Sequence, residues 1–248
     1  MTKMPPPPAG IRATPAPVAA RQAPVRFGGA RQGPSTPAPD TIRAVAEAMG
    51  FALADKVHLL LSDYLGLLAK WSRTANLTGP RDPLDILRFL VVDSLYLADY
   101  LGGLHLPPAP FCADLGAGAG LPGLPLRMLR AEGDYMLIEA REKRAQFMRA
   151  FLAVHPLPGT RVYHGRAEAF LHCSAHPDLI VSRAFMPADK LLAFVGKHAP
   201  ETGVCILFTR GLPAEKTTKL LNTGWTPASP MGYKVGEDRR FLQAVLKT

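Results

Sequence analysis

The segment DLGAGAGLPG, Asp114 to Gly123, concentrates residues able to bind a ligand through the backbone. It follows the apolar run Phe111–Leu115, which reads as a strand, and precedes a helical pattern at about 123–130. Glycines in such a turn let the backbone approach a nucleotide-like ligand and adopt angles closed to other residues, and Asp114 at the strand's end can hold a polar or cationic group. Dinucleotide sites use GxGxxG with the pyrophosphate on the helix N-terminus. Here Gly116, Gly118 and Gly120 form GxGxG, and Gly123 completes the longer pattern only from Gly118, with Pro122 before it. An adenosine-type ligand without pyrophosphate is the better fit; a dinucleotide or a plain tight connection are the alternatives.

Glu139 lies 25 residues past Asp114, at the end of a second strand pattern, Tyr135–Glu139. An acid there can accept hydrogen bonds from both ribose hydroxyls; the competing reading is a solvated acid paired with Arg141 or Lys143. Arg166-Ala167-Glu168 follows the strand pattern Arg161–His164, and Ser182-Arg183-Ala184 follows Leu179–Ser182, so four strand ends present polar groups to one crevice, where open α/β sheets bind ligands. No Ser-His-Asp or Cys-His set is found. Cys112, Cys173 and Cys205 are odd in number and lack CxxC spacing, which argues against a disulfide framework or structural zinc. His172, Cys173 and His176 have ligand-type spacing, but no second cluster completes a four-coordinate site, so no metal is expected.

The elements that must position these residues fall into three parts. Asp40 reads as an N-cap of a helix through Ile42, Val45, Ala46 and Met49, ending at Gly50. Val57, Leu60, Leu61, Tyr64, Leu65, Leu68 and Trp71 recur at helical spacing from Asp55, and Asp82-Pro83 opens a third helix through Leu87, Val91, Leu95 and Tyr100. From about 107, strands alternate with helices: a fifth strand is expected at Val204–Thr209 and helices at 141–154 and 188–198, which implies a mostly parallel sheet covered on both faces. Glu215–Asn222 reads as one more helix, and Met231–Val235 with Phe241–Leu246 as an antiparallel closing hairpin. The expected organisation is a tail over 1–39, a helical cap over 40–106 and a ligand-binding α/β core over 107–248.

Composition supports this division. Ten of the 25 prolines lie in residues 1–40, a basic, alanine-rich stretch that cannot bury enough apolar area to offset its ordering entropy and is expected to be disordered. It carries +4 of the net +9, leaving the rest of the chain at +5. Its arginines suit either solubility or non-specific attraction to nucleic acid. No run approaches the roughly 18 apolar residues of a membrane helix, Pro5 to Pro8 stand where a signal peptide has its apolar core, and the same prolines argue against a transit peptide. A cytoplasmic location is expected.

These motifs together resemble the bacterial glucose-inhibited division protein B family over nearly all of 41–248. WSRTANLT at 71–78, Asp93-Ser94, the glycine segment with its GLPG ending, Lys143-Arg144, Arg166-Ala167-Glu168 and Ser182-Arg183-Ala184 occur in the family's order and spacing. The resemblance implies a class I S-adenosylmethionine-dependent methyltransferase fold, Rossmann-like and preceded by the helical cap. It further implies S-adenosyl-L-methionine as cofactor and N7 of a guanine near nucleotide 527 of 16S rRNA as target, either as free rRNA or in the small ribosomal subunit. Carried over by position, Asp114, Gly116 and Gly118 would line the methionine and ribose, with Leu121 beside them. Glu139 would take the ribose and Ala167-Glu168 the adenine. Arg166 and Arg183 would face the RNA at the mouth, Arg183 also being a candidate for cofactor contact and substrate positioning. Asn76 is placed either as a helix cap or as an orienting group near the cofactor, and Trp71 in the core. Phe185 is assigned to base stacking or the core, and Lys143, Arg144 and Arg149 to a solvated face or rRNA phosphates. Two positions depart from the family: Phe89-Leu90 replace an Arg-His pair, and Arg210-Gly211 replaces Lys-Gly. A monomer is expected. The alternatives are a relative that binds RNA or cofactor with weakened or lost catalysis, and a small-molecule methyltransferase.

Overall fold

The computed structural model describes residues 36–73, 75–173, 176–210 and 224–247. Residues 1–35 of the expected tail, the expected helix at Glu215–Asn222 and Gly211 lie outside the described residues. The elements in chain order are α1 (Pro39–Ala48), α2 (Asp55–Trp71), α3 (Pro83–Ile86), a π turn (Leu87–Val91), α4 (Val92–Gly102), β1 (Phe111–Leu115), α5 (Gly123–Leu129), β2 (Asp134–Glu139), α6 (Glu142–Val154) and β3 (Thr160–His164). They continue with α7 (Ala167–Cys173), β4 (Leu179–Ser182), α8 (Ala188–His198), β5 (Val204–Arg210), β6 (Trp225–Pro227), β7 (Met231–Val235) and β8 (Asp238–Lys247).

The sheet runs β3-β2-β1-β4-β5-β8-β6, with β7 also paired to β8. The first five strands are parallel and β8 is antiparallel to β5. From β1 the chain winds outward to β2 and β3, then crosses back to β4 and β5. The strand order therefore reverses between β1 and β4, and a crevice opens at their carboxyl ends. Both sheet faces are covered, so the strands alternate between two cores rather than between core and water. Along β1, Cys112 packs with the cap-side core and Ala113 and Leu115 with the core under α7 and α8. Asp114 shares the cap side by the same alternation.

The cap helices α1 to α4 complete the first core. On α2, Val57, Leu61, Tyr64, Leu65 and Leu68 are fully or nearly fully buried, and the Tyr64 hydroxyl donates to the Ala119 carbonyl at 2.9 Å. One buried face of the cap thus reaches the glycine segment. Trp71 meets Phe147 edge-on at 5.9 Å, the expected core role.

Four expectations need correction. α1 starts at Pro39 with Ala38 at the N-cap, so Asp40 lies in the first turn rather than capping it. Asp82 does cap its helix, accepting from Leu84 N and Asp85 N, but five residues of π turn interrupt that helix; π turns leave no mark in apolar periodicity. α7, which opens with the Ala167-Glu168 pair, is not among the expected helices. The closing hairpin is longer and is joined by the short strand β6 along the same edge of β8.

Replacing Tyr64 by Phe leaves the buried Ala119 carbonyl without this donor. The expected loss is about 1–3 kcal/mol, read by urea unfolding as a lower midpoint at unchanged slope.

Candidate functional site

The glycine turn starts where β1 ends. Gly116, Gly118 and Gly120 all have left-handed φ, 70°, 60° and 80°, a region nearly closed to other residues. This alternation folds the segment back on itself: Gly116 N and Ala117 N both donate to Ile138 O on β2, and Gly120 N and Leu121 N donate to Ala117 O. Leu121 is nearly buried, packed in the cap-side core, and Gly123 begins α5 so tightly that a Cβ would lie 2.4 Å from Leu137 and 2.6 Å from an Asp114 oxygen.

Two acids flank this turn. Asp114 is fully buried, and its Oδ2 accepts from Tyr135 Oη at 3.3 Å, while Oδ1 has no partner among the described residues. Burial pushes its pKa up to about 7, against the opposing pull of the Tyr135 hydroxyl, the Gly123 amide and the Arg183 charge. A buried acceptor with an unused lone pair implies a missing donor. Glu139 ends β2 on the same sheet face and is 5% exposed. Its Oε2 accepts from Gly118 N at 2.9 Å and its Oε1 from Arg141 N at 2.8 Å, with Arg144 Nη1 4.0 Å from Oε2. Glu139 is therefore no free surface acid. The competing pairing with Arg141 is realised through the backbone amide, and a carboxylate so held keeps acceptor sites for a ligand.

The other expected residues divide. Ala167 is buried and Glu168 half-buried at the start of α7, beyond β3. Arg166 is exposed. Arg183 is not turned fully outward: its Nε lies 2.8 Å from Asp93 Oδ2, with the side chain 18% exposed. Next to it Ala184 has φ 60°, which non-glycine residues seldom adopt. Phe185 then lies against the glycine turn, where a Cβ on Gly116 would be 2.7 Å from its ring. It also packs edge-on to Phe194 on α8 at 5.9 Å. Phe185 thus joins the second core to the crevice. The Ser182 and Ser94 hydroxyls are buried without partners among the described residues, so polar atoms accumulate around this junction.

Asn76 is exposed and lies beyond the helix end, where Ser72 is the C-cap; it is not the cap. Phe89 and Leu90 are half-buried against the cap-side core. On α6, Lys143 is exposed, whereas Arg149 donates to Val162 O at 3.4 Å. Arg210 is exposed, 4.0 Å from Asp238. His172 and His198 approach at 3.0 Å between ring nitrogens. Among the described residues no group of three or more His, Cys, Asp or Glu is arranged to hold a metal, and no helix is long and apolar enough to cross a membrane. The sequence reading missed Tyr64, Asp93, Tyr233 and Arg240 as residues of this region. Asp93 stood inside a family motif, but nothing local marks Tyr233 or Arg240.

A family model described as rRNA small subunit methyltransferase G (GidB) matches residues 58–232. The chain is 52% identical over 177 residues to the ribosomal RNA small subunit methyltransferase G of Nitratidesulfovibrio vulgaris (strain DP4), covering 71% of this chain and 79% of that protein. It is 41% identical over 208 residues to the protein of that name in Lawsonia intracellularis (strain PHE/MN1-00), covering 83% and 94%. Among solved structures, a SAM-dependent methyltransferase from Aquifex aeolicus superposes with a TM-score of 0.50 at 17% identity, covering 71% of this chain and 98% of that one. That likeness is one of fold, the class I methyltransferase architecture. With matches of this extent, the chain belongs to the rRNA small subunit methyltransferase G family.

Proposed function

We propose that this protein transfers a methyl group from S-adenosyl-L-methionine to N7 of a guanine in 16S rRNA, in the region of nucleotide 527, acting in the cytoplasm as a monomer without a metal. The observation that carries the reading is the pair of buried acids flanking the left-handed glycine turn. Asp114 offers Oδ1, and Glu139 is held by the Gly118 and Arg141 amides. The residues present fit the cofactor. Asp114 Oδ1 would accept from its cationic end, Gly116, Gly118 and Leu121 would line its path, Glu139 would hold the ribose hydroxyls, and Ala167 and Glu168 would border the adenine. When bound, the cofactor supplies an electrophilic methyl group on a sulfonium.

Guanine N7 has a lone pair and no proton to remove. The protein therefore needs no general base, which accords with the lack of a catalytic triad in the sequence. What its residues must do is align the base, about 3–3.5 Å from the methyl carbon, and exclude water. Phe185 on Gly116 and Arg183 beside it stand where the base would enter, with Arg166 exposed nearer the rim. Exposed Lys143 is suited to rRNA phosphates.

Three outcomes test this reading. Ribosomal RNA from cells lacking the protein should have lost N7-methylguanosine at the expected position and regain it on complementation, checked by primer extension after aniline cleavage; retention of the mark without the protein overturns the proposal. Gly116→Ala adds a Cβ both at left-handed φ and against Phe185. S-adenosylmethionine affinity should fall about 5- to 30-fold, the equivalent of the about 1–2 kcal/mol of left-handed strain, measured by calorimetry. Asp114 has its pKa raised from 3.8 to about 7, so below that pH a cationic ligand must first displace a proton. Affinity should rise about tenfold per pH unit up to about pH 7 and then level, and Asp114→Asn should flatten the profile.

A further inference from the structure

Asp93 lies on the cap at the start of α4 and is 2% exposed. Groups from three separate parts of the α/β core nevertheless converge on it. Arg240 on β8 donates from Nη1 to Oδ1 at 2.8 Å and to Oδ2 at 2.9 Å, and Tyr233 on β7 donates to Oδ1 at 2.8 Å. The third is Arg183 Nε, 2.8 Å from Oδ2. Arg240 Nη1 also donates to the Phe89 carbonyl at 2.8 Å, on the π turn just before Asp93. A buried carboxylate is tolerated when its lone pairs are met, and here Arg240 and Tyr233 already supply a cation and a hydroxyl from rigid paired strands.

Arg183 is different in kind. It stands on the loop after β4, followed by Ala184 at φ 60° and by Phe185 against the glycine turn. A single strained residue thus separates one side chain held by the cap from another held by the turn. The ion pair uses Nε. The two terminal amino groups carry four of the five guanidinium donors.

Resting on the rRNA methyltransferase reading above, we propose that Asp93 is a positioning residue for methyl transfer: clamped by Arg240 and Tyr233, it fixes Arg183 so that the terminal amino groups bind an acceptor oxygen of the target nucleotide. That oxygen is a phosphate or guanine O6. A donor on N7 would occupy the lone pair that attacks, so a fork held away from N7 is what the chemistry requires. Asp93 touches neither cofactor nor base in this arrangement. Its effect runs through Arg183, and the cap thereby sets a side chain of the crevice.

The test uses the full chain, labelled S-adenosylmethionine, and small ribosomal subunits from cells lacking the methyltransferase. Wild type, Asp93→Asn, Arg183→Ala, Tyr233→Phe and the corresponding double variants are compared for kcat, KM, S-adenosylmethionine affinity and melting temperature. Misplacement of a reacting partner by about 1 Å costs on the order of 100-fold in rate. Asp93→Asn and Arg183→Ala should each lower kcat by about that factor while leaving cofactor affinity within about twofold, and the double variant should be no worse than Arg183→Ala alone. Tyr233→Phe should give a smaller loss that vanishes in the Arg183→Ala background. Multiplying losses in the double variants overturn the proposal, as does a melting or affinity defect in Asp93→Asn with kcat intact. If Asp93→Asn does not fold, the Tyr233–Arg183 cycle decides alone, and absence of coupling there overturns it. A wild-type chain that transfers no label to the subunits is a separate result: it removes the function reading itself.

Discussion

The helical cap and the α/β core of this protein are joined at one buried charge. Asp93 comes from a cap helix, while the two arginines and the tyrosine around it come from the loop after β4 and from the last two strands. Removing one partner of such a buried pair typically costs about 3–5 kcal/mol, because the remaining charge is left without solvation. The joint is thus a requirement on register as well as a contact. β7 and β8 must pair as they do, Tyr233 opposite Arg240, for both side chains to reach the same carboxylate. The π turn before Asp93 belongs to this arrangement, since its Phe89 carbonyl shares Arg240 with the carboxylate.

The crevice depends on that joint from one side and on the glycine turn from the other. β1 supplies Asp114 and the turn, β2 supplies Glu139 and the carbonyl that anchors the turn, and β4 supplies the Arg183–Phe185 loop. Strand reversal between β1 and β4 leaves a gap that no crossover helix covers, and Asp114 Oδ1 and the Ser182 hydroxyl have no partner among the described residues. Tyr64 ties the turn to α2, so the cap touches the crevice at the Ala119 carbonyl as well as at Arg183. An enzyme that acts by alignment, without proton transfer, relies on such fixed distances more than on any one reactive group.

The fold class and most of the crevice were legible in the sequence because they are written locally. Strand and helix positions follow from apolar periodicity, and β1 and β4 have the expected bounds. Alternating glycines mark a turn that needs left-handed backbone, and the acid ending β2 is marked by its place on the neighbouring strand. Less was legible where the structure departs from periodicity. The π turn keeps the apolar pattern of an α-helix, α7 begins in a polar stretch, and β6 is a three-residue strand.

By itself the sequence determined the family, most of the strands and helices, and the glycine turn with its two acids, since each rests on residues close together in the chain. Only the tertiary structure decided which group Arg183 pairs with. Sequence placed it at an open mouth facing RNA; the fold brings Asp93, 90 residues earlier in the chain, to within 2.8 Å of it, with Tyr233 and Arg240 behind. The physical reason is that a buried charge is satisfied by whichever partners the packing of distant elements delivers, and no local spacing rule carries that information.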